Sequence, residues 1–151
     1  MRELAEVLLR GENSLTSAER ETIAAFVSSR NECHFCQASH SAAAAHHQAG
    51  DYSAIEAVKR DYQSAPVSAK LKALLTIAAR VQESGRRVSE ADVQRARDEG
   101  ATDLEIHDTV LIAAAFCMFN RYVDGLATLT PHDDAVYDAM GRRMANEGYV
   151  R

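Results

Sequence analysis

Residues 110–119 read Val-Leu-Ile-Ala-Ala-Ala-Phe-Cys-Met-Phe, and this run decides the fold class. Wound as a helix it is apolar on every side, which predicts a central buried helix. It is too short to cross a membrane. It does not alternate as a half-buried strand would, and no other run of alternating β-branched residues occurs in the chain.

Helix signals recur on the N-terminal side and beyond. Thr16-x-x-Glu19 and Thr102-x-x-Glu105 read as capping boxes. Gly50, Gly85 and Gly100 fall where helices should stop. The only two prolines, Pro66 and Pro131, lie in polar breaks. Residues 69–81 place Leu71, Leu74, Leu75, Ala78 and Val81 on one helical face. Together these signals predict helices near 2–9, 17–29, 32–49, 52–62, 68–84, 90–98, 103–127 and 133–146. The expected class is therefore all-α. There is no linker, low-complexity tract or short repeat, so residues 1–151 are expected to form a single domain.

Composition narrows the function classes. The chain has 151 residues, enough for a real core without disulfide staples. Hydrophobic residues make up 46% and charged residues 26%, as in ordinary globular proteins. The formal net charge is -5, and Lys and Arg are scattered, so the basic stripe required by nucleic acid is absent. The N-terminal stretch, MRELAEVLLRGEN, is amphipathic and carries acids, unlike a signal peptide. A cytoplasmic protein with no membrane partner is expected. Three cysteines do not make a secreted disulfide framework. A Cys-x-x-Cys in a reducing compartment points instead to catalysis or metal.

That pair sits in Asn31-Glu32-Cys33-His34-Phe35-Cys36-Gln37-Ala38-Ser39-His40. On a helix, Cys33, Cys36 and His40 stand at i, i+3 and i+7 and share a face. Asn31 reads as the N-cap, which puts Cys33 in the first turn. The partial positive charge there favours thiolate at Cys33. Contact with an imidazole four residues on favours Cys36 instead. Two cysteines so placed can close into a disulfide, provided one has a base and the other can resolve the product. His40 can be the base, and it then needs a third group to orient it. Glu21, twelve residues before Cys33, is the candidate, with Glu19 as a near neighbour. The rival reading is zinc held by Cys33, Cys36 and His40, with His46, His47 or Glu21 adding the fourth ligand that structural zinc wants. Cys117, inside the apolar run, reads as a small core residue. His46 and His47 read as surface or packing residues, and His107 and His132 as exposed ones.

The whole spacing, Glu21 to Cys33-x-x-Cys36 to His40, resembles the signature of the alkylhydroperoxidase D-like proteins of the carboxymuconolactone decarboxylase superfamily. Leu15-Thr-x-x-Glu19-Arg20-Glu21, Asn31-x-Cys33 and Phe116-x-x-Phe119-Asn120-Arg121 are similar to the branch called peroxidase-related enzymes. The resemblance implies a compact fold of about seven or eight helices and a homo-oligomer, a trimer or hexamer. It implies an oxidoreductase that reduces a hydroperoxide: Cys36 attacks, Cys33 resolves, and Glu21 and His40 relay the proton. An external thiol or protein reductant would restore the pair, with no cofactor and no metal. The chain shows no Gly-rich dinucleotide fingerprint. In the family's best-known member a histidine directly precedes the second cysteine. Here Phe35 holds that place and His34 lies one residue earlier. A disulfide reductase using the same residues, or a zinc-binding regulatory oligomer, are the alternatives.

Overall fold

The computed structural model describes residues 1–150. They form eight α-helices, one 3₁₀ turn and no strand. The helices are α1 (Arg2–Arg10), α2 (Ser17–Arg30), α3 (His34–His46), α4 (Ser53–Asp61), α5 (Ala69–Glu83), α6 (Glu90–Asp98), α7 (Asp103–Gly125) and α8 (Asp134–Glu147). Each helix predicted from sequence is present. Both expected capping boxes form, at Thr16–Glu19 and Thr102–Glu105. A third, Ser89–Asp92, starts α6.

The helix at the centre is α2, not α7. α2 packs against α1, α3, α4, α5 and α7, and every residue from Arg20 to Ser28 is buried. α7 buries Ile112, Ala113, Ala115, Phe116, Phe119 and Asn120 but leaves Leu111, Met118 and Tyr122 exposed. The run that is apolar on every side therefore satisfies only one face within the chain. The polar residues of α2 are tolerated at the centre because partners meet them, as described below.

α3 lies in a groove between α2 and α8. The approach to α8 depends on Gly141. A Cβ there would stand 2.6 Å from the backbone nitrogen of Ala43, so the two helices meet backbone to backbone. The alanines 42–45 of α3 are all buried, and their small side chains permit this spacing.

The turn into α3 differs from its sequence reading. Asn31 does not cap α3; it is the C-cap of α2. Glu32 adopts the left-handed conformation with φ 58°. The Glu32 N–H donates to the Ser29 carbonyl and the Cys33 N–H to the Ser28 carbonyl, which is the Schellman closure of α2. Cys33 thus becomes the N-cap of α3 in extended backbone, and His34 is the first helical residue. The reason is local: three residues must both end one helix and begin the next. The Asn31 side chain is used sideways, donating to Asn120 Oδ1 at 2.8 Å and accepting from Gln82 Nε2 at 2.8 Å.

Candidate active site

The α2–α3 hairpin brings Glu21 beside His40. Glu21 Oε2 and His40 Nδ1 are 2.7 Å apart. Glu21 is fully buried and His40 nearly so. A carboxylate accepts, so Nδ1 carries the proton and Nε2 is left as the acceptor. The imidazole is held edge-on to Phe116, with ring centroids 4.6 Å apart. Glu19 faces elsewhere: its carboxylate closes the α2 capping box by accepting from the Thr16 N–H.

Two residues complete this cluster that the sequence reading did not single out. Arg10 of α1 reaches Glu21 Oε1 at 2.5 Å and also donates to the Met144 carbonyl. Tyr149, after α8, donates its hydroxyl to the same Oε1 at 2.5 Å. The Tyr149 ring stacks on His40 at 5.9 Å and lies under the Arg10 guanidinium at 5.0 Å. Burial pushes the Glu21 carboxyl up, but His40, Arg10 and Tyr149 outweigh it and hold the group below the usual carboxylate range. Burial, then the Glu21 charge, raise the Tyr149 phenol well above its ordinary value, so it stays a donor. Tyr149 is remote along the chain, and Arg10, although only eleven residues before Glu21, lies on a different helix whose packing no local pattern signals.

Cys33 and Cys36 are both free and buried. The two thiols lie close enough for each to influence the other's ionisation. Burial raises both thiols above the ordinary value. For Cys36 the hydrogen bonds from Cys33 and Asn120 partly offset it. For Cys33 the shift is far larger, and a hydrogen bond to the Asp124 carboxylate adds to it. This reverses the helix-start expectation for Cys33: it lies outside the helix, and desolvation exceeds the dipole's ~0.3–1 kcal/mol. Of the two, Cys36 is the sulfur better placed to become a thiolate.

Asn120 reaches this centre from α7. It also donates to Ser28 Oγ at 3.0 Å. A buried asparagine closing an apolar run is itself a signal, since buried amides need partners.

A cavity of about 500 Å³ opens onto Cys36 and His40. Its lining includes Phe35, Phe119, Met140 and Met144, together with Arg143. The other cysteine and histidines lie apart. Cys117, expected as a small core residue, is half-buried and accepts from the Asn31 amide at 3.6 Å. His46 ties the end of α3 to α8 through Asp138 at 2.9 Å. His107 and His132 are exposed. His34 is exposed and edge-on to Tyr137, away from the relay. Among the described residues, no three His, Cys, Asp or Glu side chains converge as a metal-ligand set.

Solved structures resemble this chain closely. A crystallised uncharacterized peroxidase-related protein from Silicibacter sp. TM1040 is 31% identical with a TM-score of 0.80, the match covering 93% of this chain and 71% of that one. A second, from Ralstonia eutropha JMP134, is described as an alkylhydroperoxidase AhpD core and as an uncharacterized peroxidase-related protein. It is 26% identical with a TM-score of 0.81, covering 93% of this chain and 72% of that one. No family model and no curated protein matches.

Proposed function

Because the chain belongs to the alkylhydroperoxidase D-like family, in its peroxidase-related branch, we propose that it is a thiol-dependent peroxidase that reduces organic hydroperoxides. The observation that carries this reading is the cavity lined by both Cys36 and His40, with His40 hydrogen-bonded to the buried Glu21. Both thiols are protonated at rest, so a base is required before either can attack.

The His40 Nε2 lone pair takes the Cys36 proton as the peroxide enters. The thiolate attacks the outer peroxide oxygen, the O–O bond breaks, and Cys36 becomes a sulfenic acid. The alkoxide leaves as an alcohol, taking the proton back from His40. Cys33 then attacks the Cys36 sulfur and water departs, leaving the Cys33–Cys36 disulfide. An external dithiol or reductant protein returns two electrons and two protons to the pair. Asn120 supports the scheme by favouring ionisation of the Cys36 thiol, and Glu21 by fixing the tautomer of His40.

The test is anaerobic. Reduced protein mixed with an alkyl hydroperoxide should lose two thiols per peroxide consumed, and a Cys33–Cys36 disulfide should be found by mass spectrometry. Cys36→Ser should consume none. Cys33→Ser should consume one equivalent and stop at the sulfenic acid. Rapid exchange with small disulfides and no peroxide loss would favour a disulfide reductase instead.

A further inference from the structure

Glu21 divides its two oxygens unequally. Oε2 meets only His40 Nδ1, whereas Oε1 accepts from both Arg10 and the Tyr149 hydroxyl. That hydroxyl also lies 3.3 Å from His40 Nδ1, so it bridges carboxylate and imidazole. The Tyr149 ring is nearly parallel to the imidazole, 19° between planes, and Phe116 closes a third side at 89°.

The residue is pinned from its backbone as well. The Tyr149 N–H donates to Glu6 Oε2 at 2.6 Å. Gly148 before it sits at φ 76°, where the Glu6 carboxylate fills the space a Cβ would need. The left-handed backbone calls for a glycine there. Both Gly148 and Tyr149 line the Cys36 cavity.

We propose that Tyr149 is a positioning residue of the Glu21–His40 relay: its hydroxyl occupies Glu21 Oε1 and its ring holds the imidazole plane, so that Oε2 is the carboxylate oxygen that meets Nδ1 and the accepting lone pair stays on Nε2. This rests on the peroxidase reading for its purpose but not for its geometry. The hydroxyl also sets how strongly Glu21 pulls on the Nδ1 proton. A carboxylate with one donor fewer is a stronger base. The stronger pull makes Nε2 more basic, and Cys36 is then deprotonated at lower pH.

The other charges facing the relay are Arg10 and Glu6 from α1, Arg20 from α2 and His47, the C-cap of α3. From α8, Arg143 and Glu147 line the same cavity, and Cys36 faces Asp124 of α7. A change confined to the Tyr149 hydroxyl leaves all of these in place.

The experiment varies the strength of that one donor. Cys36 alkylation is followed against pH in the parent, in Tyr149→Phe, and in protein carrying 3,5-difluorotyrosine in place of Tyr149, a stronger donor. Tyr149→Phe should move the alkylation midpoint to lower pH by roughly half a unit, about a threefold change in thiolate fraction at fixed pH. Difluorotyrosine should move it to higher pH. A merely structural tyrosine would not order the three in this way. Coincident profiles, or displacement of both variants in the same direction, would overturn the proposal. Should Tyr149→Phe fail to fold, the fluorinated protein decides alone. Neither arm uses peroxide, so failure of the peroxidase reading would show as absent peroxide consumption with these shifts intact.

Discussion

Replacing Glu21 with Gln tests the cluster most severely, because it alters charge and hydrogen bonding at a fully buried side chain. Glu21 is fully buried, and the Arg10 side chain retains only 12% exposure. The amide cannot neutralise that guanidinium. Removing one member of a buried ion pair costs about 3–5 kcal/mol, and the slight exposure of Arg10 favours the lower end, about 3 kcal/mol. That is a large share of the roughly 5–15 kcal/mol that holds a domain together. With a urea slope of about 2 kcal/mol per molar, the unfolding midpoint should fall by about 1.5 M. Chemistry suffers separately. An amide has one accepting oxygen; if it faces Arg10 and Tyr149, its NH₂ faces His40 Nδ1. The imidazole must then place its proton on Nε2, the atom that should accept from Cys36. Cys36 alkylation and peroxide reduction should fall by about 10²–10⁴ at neutral pH. Urea titration by circular dichroism reads the first effect, and alkylation of the folded fraction reads the second. Arg10→Met added to Glu21→Gln should restore part of the stability and none of the reactivity. A midpoint within about 0.3 M of the parent would refute the account of Glu21 as a buried, charge-matched carboxylate.

Three further outcomes are expected. Because burial raises the Cys36 thiol, its alkylation midpoint in the folded protein should lie above the ordinary thiol range of about 8.5 and drop toward it in denaturant; a midpoint below 7 in the native protein would contradict this. Gly141→Ala should push α8 off α3 and cost about 1–3 kcal/mol, read as a lower melting midpoint with slower Cys36 chemistry, since α3 carries both Cys36 and His40. The exposed stripe of Leu111, Met118 and Tyr122 on α7 should be covered in a homo-oligomer, so light scattering should show a trimer or hexamer and Leu111→Glu with Met118→Glu should reduce its mass; a monomeric parent at micromolar concentration would count against it.

The Glu21 shift also sets a pH dependence. Its folded-state carboxyl lies below the ordinary value, so the stability it contributes is complete above about pH 4.3 and is lost as pH falls through the folded value. Part of the acid unfolding of this protein should therefore vanish in the Glu21→Gln, Arg10→Met variant, whose midpoint changes less between pH 6 and acid than the parent's.

What the sequence determined by itself is what periodicity and local chemistry can encode. The capping boxes at Thr16 and Thr102, the apolar face of α5 and the stop at Gly100 are decided within a few residues, so the eight helices were legible, although α3 ends at His46 rather than just before Gly50. Cys33, Cys36 and His40 were legible for the same reason, being neighbours along one stretch. The tertiary structure decided what depends on remote encounters. Whether residues 110–119 lie at the centre depends on what covers each face, and α2 took that place because Arg10, His40 and Tyr149 answer the Glu21 charge. The start of α3 was misread because Asn31, a good cap, is drawn instead to Asn120 and Gln82, on two other helices. The reactivity of the two cysteines followed burial, which reversed the local dipole argument for Cys33. A charge or a thiol takes its chemistry from its surroundings, and here those come from segments as far apart as Arg10 and Tyr149, which only the folded chain brings together.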